Sequence, residues 1–170
     1  MSLSPKRKSA HSLRLLPLLT VTSGLFSGPT ALAAAPTAPD CWRQEGFASP
    51  EAHSRQVSQW ASEAVPFPGP LDAYAAYRIG KDERDFALDR LKNDKKAHCY
   101  MGCRIAQDVN FETAQWAGWK KEDKDLRDCN PATHFEVMDY QVTVIGAHLG
   151  LSAKSVEDCL RRCDRDFPGR

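Results

Sequence analysis

The sequence has no Gly-x-Ser-x-Gly elbow, no Walker loop, no His-Glu-x-x-His pair and no dinucleotide fingerprint, so the chemistries those motifs serve have no starting point. It lacks Cys-x-x-Cys as well, which removes a thioredoxin-like redox centre. No apolar stretch reaches the roughly 20 residues that a membrane-spanning helix needs. The best candidate, Leu15 to Phe26, is broken by Pro17, Thr20, Thr22, Ser23 and Gly24. Charge of one sign is missing too, with 23 basic against 22 acidic side chains and no long basic run. That balance excludes the electrostatic footprint of a nucleic-acid or anionic-membrane binder.

What the N-terminal region does have is the order of an export signal. Lys6, Arg7, Lys8 and Arg14 precede the apolar stretch, and Ala31-Leu32-Ala33 follows it with small residues where a signal peptidase reads. This predicts a signal peptide over residues 1–33 and a periplasmic or secreted product. The leader holds four basic and no acidic residues, so the remaining 137 residues carry 19 basic against 22 acidic side chains, a balance of −3. Such a length suits one domain. Residues 34–40, rich in Pro and Ala, read as a disordered lead-in to a single helical domain over 41–170.

All six cysteines, Cys41, Cys99, Cys103, Cys129, Cys159 and Cys163, lie beyond that leader. An even number in a short exported chain reads as a disulfide framework. Both close pairs are Cys-x3-Cys, which on a helix sets two sulfurs on one face, one turn apart. Two such helices lying antiparallel can bond twice, outer to outer and inner to inner. That predicts Cys99 with Cys163 and Cys103 with Cys159, leaving Cys41 for Cys129. A structural zinc site built from four cysteines and His98 competes for the same residues. Zinc knuckles are usually tighter, however, and an oxidising compartment favours disulfides, so no metal or other cofactor is expected.

Apolar spacing beyond Cys41 is helical almost throughout. Pro50 to Ala64 carries Val57, Trp60, Ala61 and Ala64 at three- and four-residue intervals, with Pro at a first helical position. "VPFPGP" at 65–70 stops it. Two short helices follow, Leu71 to Ile79 and Asp82 to Lys92, divided at Gly80. The next, about Asp94 to Asp108 and capped by Asn93 or Asp94, has Cys99, Gly102, Cys103 and Ala106 on a small-residue face that lets a partner approach closely. Asn110 caps a helix to about Arg127. Residues 132–149 show a stripe of Phe135, Met138, Val142, Ile145 and Leu149, and a last helix capped by Ser152 or Ser155 brings in Cys159 and Cys163. The fold expected is all-α, a compact disulfide-stabilised bundle of about five to six helices.

Three residues stand out as candidate chemistry. His98 adjoins a cysteine on a helix, Asp139 has apolar neighbours and needs a partner if semi-buried, and Glu122 follows Gly118 by one turn. A bundle can gather a histidine and two carboxylates at its centre for acid and base work or for a metal ion. Glu122 also stands in "KKEDKD", which reads as a solvated face, and His134 and His148 read as surface residues.

The ordered spacing Asp94-x3-His98-Cys99-Tyr100-x2-Cys103, Ala114-x3-Gly118-x3-Glu122 and Met138-Asp139-x6-Gly146 resembles a helical domain of unknown function. That domain is found in bacterial exported proteins and at the C-terminal ends of RHS-type polymorphic toxins. The resemblance covers about Asn93 to Cys163. It implies an all-α domain with His98, Glu122 and Asp139 on facing helices, and no established reaction comes with it. Where such domains tend to follow the aspartate with asparagines, this chain has Val142 and Thr143. Two functions follow as expectations. The first is a protein-interaction module, in toxin, inhibitor or virulence biology, whose partner is another protein, with no nucleic acid and no membrane once the leader is removed. The second is a small hydrolase or toxin domain using His98 with Glu122 or Asp139.

Overall fold

A computed structural model describes residues 41–166, so the expected leader and lead-in lie outside the described residues. Those residues form seven helices and no strand: α1 Cys41–Gln44, α2 Pro50–Ser62, α3 Pro70–Leu91, α4 Asp94–Asp108, α5 Phe111–Asp128, α6 Val137–Gly150 and α7 Val156–Asp166. No helix among them is long and apolar enough to cross a membrane. Local sequence accounts for most boundaries. Ser49, Asn93 and Asn110 each accept a backbone amide of the first turn that follows, and Pro50 and Pro70 open their helices where no amide donor is needed. Ser155 takes the Asp158 amide at the start of α7.

Helix α4 is the axis of the bundle and touches α3, α5, α6 and α7. Its small face permits this. At Gly102 a Cβ would lie 2.0 Å from the Thr143 carbonyl oxygen, at Gly146 1.9 Å from that of Cys99, and at Gly150 2.4 Å from that of Cys103. Helices α4 and α6 therefore meet backbone to backbone. The same turns of α4 are joined to α7 by Cys99–Cys163 and Cys103–Cys159, while Cys41–Cys129 ties α1 to the end of α5. This is the pairing that the spacing predicts. With every described cysteine in a disulfide, none is left for the competing zinc site. Three such bonds belong to a chain that matures in an oxidising compartment.

Three expectations about the helices need correction. First, α3 does not divide at Gly80. An interior glycine costs a helix only about 1 kcal/mol, Gly80 meets nothing a Cβ would strike, and the Arg78–Asp82 pair at 3.0 Å bridges it.

Second, α6 begins at Val137 instead of Ala132. The amides of Phe135 and Glu136 are taken by the carboxylates of Glu45 and Glu122, both at 2.9 Å, so the segment gains its hydrogen bonds without coiling. Trp60 helps to hold it there, edge-on to Phe135 and Tyr140 and stacked on Trp119.

Third, the buried face of α6 is Asp139, Val142, Thr143, Gly146, Ala147 and Gly150, and of the apolar stripe read from the sequence Val142 lies on it and Leu149 packs beside it. Met138 and Ile145 are exposed. Close approach to α4 selects the small side, which leaves the larger apolar side chains on the rim.

Candidate functional site

Between α3, α4, α5 and the first turns of α6 lies a cleft of about 970 Å³. Its wall carries Asp94, His98, Asp139 and Thr143, with Lys81 and Arg84 on the α3 side. Asp94 and His98 are four apart on α4 and so share a face. Asp139 comes from the first turn of α6, held opposite by the glycine contacts one and two turns further on.

His98 Nε2 is 3.5 Å from Asp139 Oδ2 and 3.8 Å from Asp94 Oδ1. Its other nitrogen, Nδ1, is 3.4 Å from Thr143 Oγ1, whose own hydroxyl donates to the Asp139 carbonyl at 2.8 Å. Lys95 lies on the far side of the carboxylates. Its ammonium donates to Asp139 Oδ1, donates to Glu136 at 2.5 Å and lies 3.6 Å from Asp94 Oδ2. Burial lowers the His98 pKa from its ordinary value, with Lys121 and Lys95 acting the same way and the two aspartates only partly opposing them. The imidazole is therefore neutral at physiological pH. For Lys95, burial is outweighed by the bonds to Asp139 and Glu136, and its pKa rises, so it stays an ammonium.

Of the three residues singled out from the sequence, the structure joins His98 to Asp139 and does not bring Glu122 to the cleft. Glu122 is 1 % exposed and sits behind the wall. Its expected solvated face is a buried one, along with Asp123, Asp125 and Leu126, because the 132–136 segment is laid over α5 and uses Glu122 as an acceptor. Asp94 joins the cluster instead, as do Lys95 and Thr143. For Asp94 the signal was available in its four-residue spacing to His98, but a first-turn acid reads first as part of a cap. His134 and His148 are exposed, as expected.

Burial pushes the Glu122 carboxyl up to about 8, with Asp125 on its own helix and Asp139 on α6 acting the same way, against the Glu136 amide and Lys121. A carboxyl raised on folding is protonated in both states below its unfolded pKa of about 4.5. Between there and about 8 the unfolded chain ionises first, so this group's contribution to stability falls as pH rises through that window. Glu122→Gln keeps an acceptor for the Glu136 amide and removes the titration. It is expected to unfold at a higher urea concentration than the native chain at pH 8, by about 1 to 3 kcal/mol, and much closer to it at pH 4.5. Parallel urea midpoints across that range would refute the assignment.

Compared with known protein families, with curated proteins and with solved structures, the chain matches none. The site's chemistry therefore rests on its own geometry.

Proposed function

We propose that this disulfide-stabilised helical protein is a small exported hydrolase working in the cleft beside His98. The observation that carries the reading is the meeting of Asp94, His98 and Asp139 at the wall of that cleft, where a water would find acceptors for its protons. A general base needs hydrogen-bond reach to the proton it takes, directly or through one water. A neutral His98 next to two carboxylates supplies that. Lys81 and Arg84 form no salt bridge among the described residues, and both face the cleft, which suits an anionic group on the substrate.

A second reading, a protein-interaction module, draws on the exposed apolar row of Leu71 and Tyr74, one turn apart on α3 and 82 % and 60 % exposed. Apolar side chains gathered on one surface mark binding faces.

Turnover of p-nitrophenyl esters and phosphodiesters by the oxidised chain decides between the two. His98→Ala and Asp139→Asn are expected to lower it by a factor on the order of 100 or more while the helical circular dichroism holds. Absence of turnover in the native chain, or turnover that survives both substitutions, would overturn the hydrolase and leave the apolar row as the working face.

A further inference from the structure

We infer that Asp94, His98 and Asp139 together hold one divalent cation, with zinc or manganese as the fitting class. The inference deepens the hydrolase reading, on which it rests for the cation's use in activating water, while its occupancy can be tested separately.

The division of oxygens around Lys95 is the first observation. Each aspartate turns one oxygen to the ammonium, Oδ1 of Asp139 and Oδ2 of Asp94, and the other to His98 Nε2. The lysine thus holds the Asp139 carboxylate and lies near that of Asp94, and the other oxygen of each is left to the imidazole.

The tautomer of His98 is the second. Thr143 donates its hydroxyl proton to the Asp139 carbonyl, so toward His98 its oxygen can only accept. Nδ1 then carries the imidazole proton, and Nε2 presents a lone pair. That lone pair faces two carboxylate oxygens with no donor among them. Asp139 is the most enclosed of the three, its side chain only 7 % exposed and its Oδ2 turned to His98 Nε2. The three atoms lie within 4.8 Å of one another, the compass of ligands that share one cation.

A divalent cation fits that arrangement. Ligand atoms about 2.0 to 2.2 Å from one ion lie roughly 3.0 to 3.5 Å apart, and the separations from Nε2 are 3.5 and 3.8 Å. The two separations from Nε2 need to close by only a few tenths of an ångström, and all three atoms lie within 4.8 Å of one another. One imidazole with two carboxylates suits zinc or manganese better than calcium or magnesium, which prefer oxygen alone. Three protein ligands leave coordination positions for water, which a bound cation makes acidic enough to attack near neutral pH. The Nδ1 contact to Thr143 is the outer hydrogen bond that orients a ligating histidine.

The test is calorimetric titration of the untagged, oxidised, chelator-treated chain with zinc chloride and with manganese(II) chloride. One cation per chain is expected, with affinity lowered at least tenfold in His98→Ala, Asp139→Asn and Asp94→Asn. Nitrogen-15 spectra of the native chain give a measure that needs no variant: zinc should shift His98 Nε2 and leave Nδ1 protonated. Failure of the native chain to bind would overturn the inference, as would binding that ignores His98→Ala or leaves the His98 signals unmoved. Binding without hydrolysis would keep the cation site and remove the hydrolase. Hydrolysis by a chain that binds neither cation would do the reverse.

Discussion

Removing both bonds between α4 and α7, by Cys99→Ala, Cys103→Ala, Cys159→Ala and Cys163→Ala together, is expected to unfold the domain, whereas removing either bond alone should only weaken it. The asymmetry comes from nesting. Cys99 and Cys163 are 64 residues apart, and Cys103 and Cys159, 56 apart, lie inside that loop. In the chain-entropy model the first bond to close a loop of this length contributes about 4 kcal/mol. The second then closes only the short ring between the two bonds, and contributes about 2 to 3 kcal/mol. Deleting one bond therefore costs the smaller amount whichever is chosen. Deleting both costs about 6 to 7 kcal/mol, comparable with the whole stability of a small domain, about 5 to 15 kcal/mol. Urea unfolding followed by circular dichroism checks it: each single-bond variant should retain a cooperative transition at lower urea. A four-alanine variant with the native midpoint would show that packing of α4 alone carries the bundle.

The clamp was legible in the sequence because a covalent partner must satisfy a strict geometry. Two Cys-x3-Cys turns on antiparallel helices admit few arrangements, and the small residues beside the first pair, Gly102 and Ala106, already marked a face made for close approach. The burial of Glu122 was not legible for the opposite reason. Lys120, Lys121, Glu122, Asp123, Lys124 and Asp125 place a charge at every position, so no apolar period reveals which side turns inward. The choice is made by the connection to α6, residues 132–136, which folds back over α5 and whose Glu136 amide takes Glu122 as acceptor. The phase of α6 was misread by a related effect. Hydropathy favours Met138 and Ile145 as the inner side, but two backbones in contact exclude large side chains, and Gly146 and Gly150 take that side. Once the phase is corrected, Asp139 moves from the edge of the stripe to the buried face itself, which is why it can reach His98.

Gly146→Ala should therefore be among the most damaging single-carbon changes available. The added Cβ would stand 1.9 Å from the carbonyl oxygen of Cys99, with the Cys99 carbon and Cα next nearest at 2.7 and 2.9 Å. Every one of these is backbone, and Cys99 is fixed further by its bond to Cys163, so no side chain can rotate away and α6 must move as a whole. Overpacking of a tight interior costs typically about 1 to 3 kcal/mol, and a clash with pinned backbone belongs at or above the upper end. Gly80→Ala is the matched control, because Gly80 lies within a helix with nothing inside 4 Å of a new Cβ. There the loss of glycine's freedom in the unfolded chain should stabilise by about 0.5 to 1 kcal/mol. Urea midpoints of the two variants are expected to move in opposite directions. Displacing α6 also carries Asp139 away from His98, so Gly146→Ala should lose the chemistry of the cleft even under conditions where the helices persist. If Gly146→Ala matched Gly80→Ala in stability, the backbone contact between α4 and α6 would be wrong, and with it the placement of Asp139 beside His98.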